Sequence, residues 1–514
     1  MTTAALTRAI RLLLPLSLAL GATSVAALPA TATNDKLDAA LKRRLAPASP
    51  GQMMDVLILL HESSGLRKGL GAVRDPVAKR ALLGQRLRDT AASSQKDLRQ
   101  WLDAQGVDYH PFWIANAIAA RVPARLLPEL AGRVEVRTIE SDAPHPVSEP
   151  LPSPAAKATL AGEPWGVIKI RAPDVWALGY KGQGVVVAGQ DTGYQWDHPA
   201  LKGKYRGWNG VSADHDYAWH DAIRSFINAG TTNSCGLDSP FPCDDNGHGT
   251  HTMGTMIGDD GGANPIGVAP DAKWIGCRNM EAGDGRPSTY IECFEWFVEP
   301  TDMAGSNPDA AMAPDVINNS WGCPPSELCD ATATNTMESA VDNVRAAGIV
   351  VVVSAGNGGS ACDTVDDPAA IYASSFTVGA TNSSDVIASF SSRGMSPTGL
   401  LKPNVSAPGV SVCSSVPTDS YSCSYSGTSM AGPHVAGAVA LIISANPALR
   451  GDPDTIQSIL ESTAVPLTSS QGCGGFGPTD VPNAVYGYGR IDAYAAVQAA
   501  LALVSPQVFS DGFE

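Results

Sequence analysis

Gly184-Val185-Val186-Val187-Ala188-Gly189-Gln190-Asp191-Thr192-Gly193 is the stretch that decides the fold. Four consecutive apolar residues, three of them β-branched, stand between two glycines with no polar alternation, the mark of a strand buried on both faces. Asp315-Val316-Ile317-Asn318 repeats the pattern, and so does 348–354, which follows a helical stretch over 336–347. Buried strands alternating with helices predict an α/β fold around a parallel sheet covered on both sides. The helical run 492–503 closes this region, and no internal repeat interrupts it.

Outward from that core the chain changes character. Residues 1–150 carry 19 basic and 14 acidic side chains, a net of +5, whereas 151–514 carry 16 and 37, a net of -21. All ten cysteines lie between Cys235 and Cys473. The overall charge of -16 argues against a nucleic-acid partner, which needs a basic face. With 17% charged and 44% hydrophobic residues the chain can bury a sizeable core.

The N-terminus has the layout of a secretory signal. Arg8 and Arg11 precede an apolar stretch over 12–22, and Val25-Ala26-Ala27 and Ala30-Thr31-Ala32 offer small residues for cleavage. The stretch is too short for the roughly 20 residues of a membrane span. No other stretch is expected to cross a membrane, so 1–32 is expected to be removed and the protein to be secreted or extracytoplasmic. Export permits disulfides. Connectivity does not follow from sequence, but short spacings favour Cys235–Cys243, Cys323–Cys329 and Cys413–Cys423; Cys277–Cys293 is next, leaving Cys362–Cys473.

Residues 50–140 outline a small α+β unit: a strand at 56–60, a helical pattern over 75–104, strands near 114–122 and 134–139, and a short helix at 126–130. A Pro-rich linker follows over 141–162, expected to be extended and exposed. The α/β unit is expected over 163–504, with a short tail at 505–514.

Four blocks can carry chemistry: Asp191-Thr192-Gly193; Asn246-Gly247-His248-Gly249-Thr250-His251; Ser354-Ala355-Gly356-Asn357-Gly358; and Gly427-Thr428-Ser429-Met430-Ala431-Gly432-Pro433-His434. Singly they are weak signals, since Asp-Thr-Gly can be a turn, Ser429 an N-cap and Asn357 a left-handed turn residue. An aspartic protease would need a second Asp-Thr/Ser-Gly triplet, which is absent. Together they suit acyl transfer: a Ser hydroxyl needs a base, a His near neutral pKa supplies one, and a carboxylate fixes the imidazole tautomer. His251 and His434 read as structural, and His198 as part of a turn.

In this order the blocks resemble the subtilisin-like serine proteases over 163–503, and 274–280 with 318–323 resemble the bacillopeptidase F-like branch. The resemblance implies a subtilisin-like sheet preceded by a ferredoxin-like inhibitory pro-domain, a partner that also aids folding and is cut off within the linker. It implies Asp191 as orienting acid, His248 as base, Ser429 as nucleophile and Asn357 as oxyanion donor. Protein and peptide substrates would add along Ser320-Trp321-Gly322, opposite 354–356. Gly356 and the loop 364–368 would line the pocket for P1, the residue on the acyl side of the cut. Asp366 stands where many subtilisins have Gly; it implies a basic P1 unless it is a solvated or helix-capping acid. No cofactor is required for the chemistry. Many subtilisins bind calcium through an Asp after His-Pro; that position is Ala200, so a structural calcium has no located ligands and its metal residues are unknown. The expected protein is a monomeric secreted endopeptidase. The rival readings are a catalytically dead peptide-binding relative, or an esterase or peptide ligase using the same triad.

Overall fold

The computed structural model describes residues 35–61, 65–146, 151–152, 162–227, 232–262, 264–322 and 336–504. The expected signal segment, the tail, Cys323, Cys329 and most of the linker lie outside the described residues.

The front unit begins earlier than residue 50. Helix α1 (Ala39–Leu45) starts where the Asp38 carboxylate accepts the Leu41 N–H, and Leu37 and Leu41 are buried in the same core as strand β1 (Met53–Leu60). The Lys42-Arg43-Arg44 run hides this helix from an apolar-pattern reading. The expected 75–104 helix is two, α2 (Pro76–Ser94) and α3 (Lys96–Gln105). They divide at Gln95, where Ser94 and Gln95 both donate to the Asn116 side-chain oxygen. Asn116 lies between β2 (Tyr109–Phe112) and β3 (Ala117–Pro123), which are followed by α4 (Leu127–Gly132) and β4 (Val136–Ser141). The sheet is antiparallel throughout with order β2-β3-β1-β4, a β-α-β-β-α-β arrangement.

The described residues of the linker are not all exposed. Its first part forms β5 (His145–Pro146), with Asp142 and His145 buried; β6 (Leu151–Pro152) follows.

The large unit is built on seven parallel strands. In spatial order, with labels in chain order, these are β15 (Val405–Pro408), β14 (Phe376–Thr381), β13 (Val350–Ser354), β12 (Val316–Asn319), β7 (Val186–Asp191), β9 (Lys273–Arg278) and β8 (Trp219–Asp221). β7 pairs with β12 on one side and β9 on the other, so Asp191 ends the middle of the sheet. The chain between β9 and β12 forms β10 (Met280–Glu281), β11 (Asp284–Gly285) and helix α6 (Pro287–Val298). Helix α5 (His248–Ile257) packs on β7, and α7 (Thr336–Ala346) lies before β13. After β15 come the hairpin β16 (Val412–Val416) and β17 (Ser420–Ser426), then α8 (Thr428–Ala445) and the closing α9 (Ala493–Ala502).

α8 runs beneath β12–β15 and against α5. By length and composition it alone among the described helices could cross a membrane, which sequence reading had not expected of any mature segment; 94% of its apolar window is buried in this core. Its hydropathy is that of a helix enclosed on all sides.

Four of the expected disulfides are formed: Cys235–Cys243, Cys277–Cys293, Cys362–Cys473 and Cys413–Cys423.

Candidate active site

The end of β7 and the start of α5 meet because glycine lets them. A Cβ on Gly249 would lie 2.1 Å from the Gly193 carbonyl oxygen and 3.1 Å from Asp191 Cβ. With that approach open, His248 Nδ1–H donates to Asp191 Oδ1 at 2.7 Å. Oδ1 also accepts the Thr192 N–H at 2.8 Å, and Oδ2 accepts the Thr252 hydroxyl at 3.1 Å. The carboxylate is thus held from three sides.

A second acid, Asp244, organises the start of α5. Its oxygens accept from the backbone N–H groups of Asn246, Gly247 and Thr250 and from the hydroxyls of Thr192 and Thr250. Sequence reading missed it, although an acid just before a helix is an N-terminal signal.

Ser429 stands in the first turn of α8, 3% exposed; Asp191 is 1% and His248 0% exposed, so these three side chains are closed to solvent. The Ser429 hydroxyl donates to the Ser320 carbonyl at 3.2 Å, and the Ser320 hydroxyl donates back to the Ser429 carbonyl at 2.9 Å. Asn357 is oriented by Thr428: its Oδ1 accepts both the Thr428 N–H and hydroxyl, each at 2.9 Å. With Oδ1 so occupied, Nδ2 is the side-chain donor left for another group. It lies 3.4 Å from where a Cβ on Gly427 would stand, so glycine keeps its face open.

The expected substrate edge is adjacent but its side chains differ in role. The Trp321 indole is buried and stacks on Tyr290, with centroids 3.9 Å apart and planes 5° apart, leaving only its backbone for a peptide. Gly322 and Gly356 lie against one carboxylate, whose oxygen would be 2.7 Å and 2.5 Å from a Cβ on each. Asp366 is half-buried, and burial raises its carboxyl above the ordinary range. The buried carboxylate between the two glycines is the next one, Asp367.

The other histidines are structural. His251 Nε2 contacts the Val412 carbonyl at 3.1 Å while its ring stacks on Tyr425, and burial pushes its pKa down to about 3, helped by nearby His248. His434 Nδ1 contacts the Met430 carbonyl, and burial lowers it to about 4. His198 caps a turn through Nδ1, which accepts from Ala200 N–H. Asp259 and Asp260 accept N–H groups of their own loop, and no metal-binding cluster is found among the described residues.

The front unit docks on α6 and α7. Glu295 of α6 accepts the N–H groups of Trp113 and Ile114, and Asn343 of α7 donates to the Ile114 carbonyl. The two described strands of the linker both pair with the large unit. β5 pairs antiparallel with β11, Gly285 opposite His145, and β6 pairs antiparallel with β17, Ser426 opposite Leu151.

Sheet, blocks and geometry together define a serine hydrolase of the α/β class. Residues 182–489 match the model of the subtilase family, and the chain belongs to that family, a family of serine-type endopeptidases. It is 38% identical over 454 residues to bacillopeptidase F of Bacillus subtilis (strain 168), covering 84% of this chain and 29% of that relative. It is 32% identical over 430 residues to subtilisin E of the same organism, covering 83% and 92%. To the alkaline protease of Alkalihalobacillus alcalophilus it is 33% identical over 336 residues, covering 65% and 70%.

Proposed function

We propose that this chain is the precursor of a secreted serine endopeptidase that cuts itself once folded. The observation that carries the reading is the buried Asp191–His248 pair, 2.7 Å apart, at the end of β7. With Nδ1–H committed to Asp191, His248 presents its other ring nitrogen as the base. His248 takes the Ser429 proton as Oγ attacks the carbonyl carbon of the scissile bond. The oxyanion is received by Asn357 Nδ2–H and the Ser429 N–H, at a helix N-terminus whose dipole favours negative charge. His248 then gives the proton to the leaving amine, and water repeats the sequence on the acyl-enzyme.

The front unit acts as the inhibitory pro-domain. The linker enters on β11 and leaves on β17, three residues before Ser429, so the bond to be cut lies between Pro146 and Leu151. This narrows the expected range of 141–162.

The test is expression in a protease-free host. The wild type should yield a mature N-terminus between 147 and 151 and react with a fluorophosphonate. Ser429→Ala should stay at precursor size and not react. Processing of Ser429→Ala at the same bond would defeat the proposal.

A further inference from the structure

We propose that Arg278 is a positioning residue for peptide substrates: buried at the end of β9, it fixes the β10–β11 hairpin against which the acyl side of a peptide pairs. The proposal rests on the endopeptidase reading above. Arg278 lies opposite Asp191 in the β7–β9 ladder and opposite Asp221 in the β8–β9 ladder. It therefore stands beside the orienting acid, shortly before the hairpin starts at Met280.

The Arg278 side chain is fully buried in a cage of oxygens. Nη1 donates to Asp221 Oδ2 at 3.1 Å and to the Gly236 carbonyl at 3.0 Å; Nη2 donates to Asn233 Oδ1 at 2.9 Å and to Asp245 Oδ2. The side chains of Asp221 and Asp245 are fully buried too. A planar guanidinium serves several acceptors in fixed directions, which the compact ammonium of a lysine does not. The Cys235–Cys243 disulfide clips the turn that carries Gly236 to the segment that leads into Asp245.

The cage is tied to the hairpin at two points. Asp245 Oδ1 accepts the Ala282 N–H at 2.9 Å, and the Asn233 amide donates to Glu281 Oε1 at 2.7 Å. Ala282 and Gly283 form the turn between the paired residues Glu281 and Asp284, with φ of 49° and 97°. Glycine takes such angles freely. Alanine does not, so the turn needs a hold from its surroundings, and the bond from the Ala282 N–H to Asp245 supplies one.

This hairpin is where the chain's own linker pairs, Gly285 opposite His145 and Asp284 opposite Pro146. Asp245 also adjoins Asp244, which holds the start of α5 and with it His248. Two adjacent acids thus set hairpin and base in one frame, and Arg278 anchors the hairpin's half of it. Loosening the hairpin costs an extended peptide its register, whereas a substrate too short to reach β11 never used it.

The experiment uses the processed enzyme and two chromogenic anilides with the same P1. One is blocked directly at P1; the other extends on the acyl side far enough to pair with β11. Fluorophosphonate titration counts active sites. In the wild type the extended anilide should have a kcat/KM at least about tenfold above the short one. Arg278→Lys keeps the charge without the fork, and Asn233→Ala cuts one tie to the hairpin. Each should lower kcat/KM for the extended anilide about tenfold more than for the short one. A role in stability alone would lower the titrated fraction and leave the ratio between the substrates as in wild type; that result overturns the proposal, and so does a wild type indifferent to length. A substitution that yields no labelled enzyme is made instead in the Ser429→Ala precursor, where hydrogen-exchange protection should fall at 280–285 ahead of the rest of the large unit. A uniform fall there overturns the proposal. Failure of the processed wild type to label would instead defeat the endopeptidase reading.

Discussion

Asn357 offers the sharpest separation of catalysis from stability. Its two ends do different things: Oδ1 accepts two bonds from Thr428, whereas Nδ2 faces the space kept open by Gly427. Asn357→Asp keeps an oxygen for Thr428 but replaces the Nδ2 donor by a second acceptor. The rate should fall at least as far as for loss of one oxyanion donor, on the order of 10²–10³ in kcat, a magnitude carried over from subtilisin, a member of the same family. Asn357→Ala loses that donor and also strands the buried Thr428 N–H and hydroxyl, at about 1–3 kcal/mol per unsatisfied group. The two variants should therefore share a large loss of kcat with little change in KM. Only Asn357→Ala should also show a marked drop in stability toward urea. Burst titration with an activated ester gives kcat per active site, and urea unfolding of the inhibited enzymes gives the stability. A kcat for Asn357→Asp within about tenfold of wild type would refute the reasoning.

Asp191→Asn should preserve packing yet leave His248 in the wrong tautomer, lowering kcat by about 10⁴ at neutral pH; a loss under about tenfold in steady-state assays would remove Asp191 from the mechanism. Lys402 is buried with its ammonium on the Ser375 carbonyl and Asn404, and burial lowers its pKa to about 7. With the folded pKa below the ordinary 10.5, the unfolded chain binds the extra proton between these values, so this group's contribution grows from pH 7 upward and is lost as pH falls toward 7. The stability gap between Lys402→Met and wild type should accordingly shift in favour of wild type from pH 7 to 10, read by urea midpoints. Asp142 accepts the Ser288 N–H and hydroxyl at the start of α6, and burial raises its pKa to about 6. Its raised pKa favours docking of the front unit below the ordinary carboxylate range, an advantage lost as pH rises through 6. In the Ser429→Ala precursor, the hydrogen-exchange protection factors of the front unit, with the intrinsic pH dependence divided out, should fall between pH 4 and 7, and Asp142→Asn should flatten that fall.

What the sequence revealed and what it hid follow from the range of each interaction. The β7 run and the His248 and Ser429 blocks are local: strand, glycine and nucleophile are contiguous, so their chemistry is visible in one window. The acid between Gly322 and Gly356 is not. Asp366 and Asp367 are neighbours of identical type, and which of them meets Gly322 and Gly356 depends on a loop conformation that no residue pattern encodes. Helix α1 escaped for another reason: its apolar stripe is too short to show a period, and it forms through the Asp38 cap and burial of Leu37 and Leu41. The linker showed only its prolines; among its described residues, Asp142 and His145 are buried rather than exposed, because the large unit offers side-chain and backbone partners there.

The charge split takes on a more specific meaning at the docking surface. A +5 front against a -21 remainder suggests broad attraction, yet the contacts are few and placed. Arg67 pairs with Asp342, Arg88 with Glu299, and Arg286 of the large unit with Asp55, which reverses the polarity. Arg80 is nearly fully buried; its guanidinium donates to the carbonyls of Pro314 and Ala347, just before β12 and β13. A buried arginine tied to two strand-entry carbonyls contributes geometry that screening by salt weakens little, unlike the exposed Arg67–Asp342 pair. Salt should therefore slow association of the two units far more than it loosens the docked state. The contacts that salt should leave in place are the buried ones, on α6, on α7 and at the entries to β12 and β13.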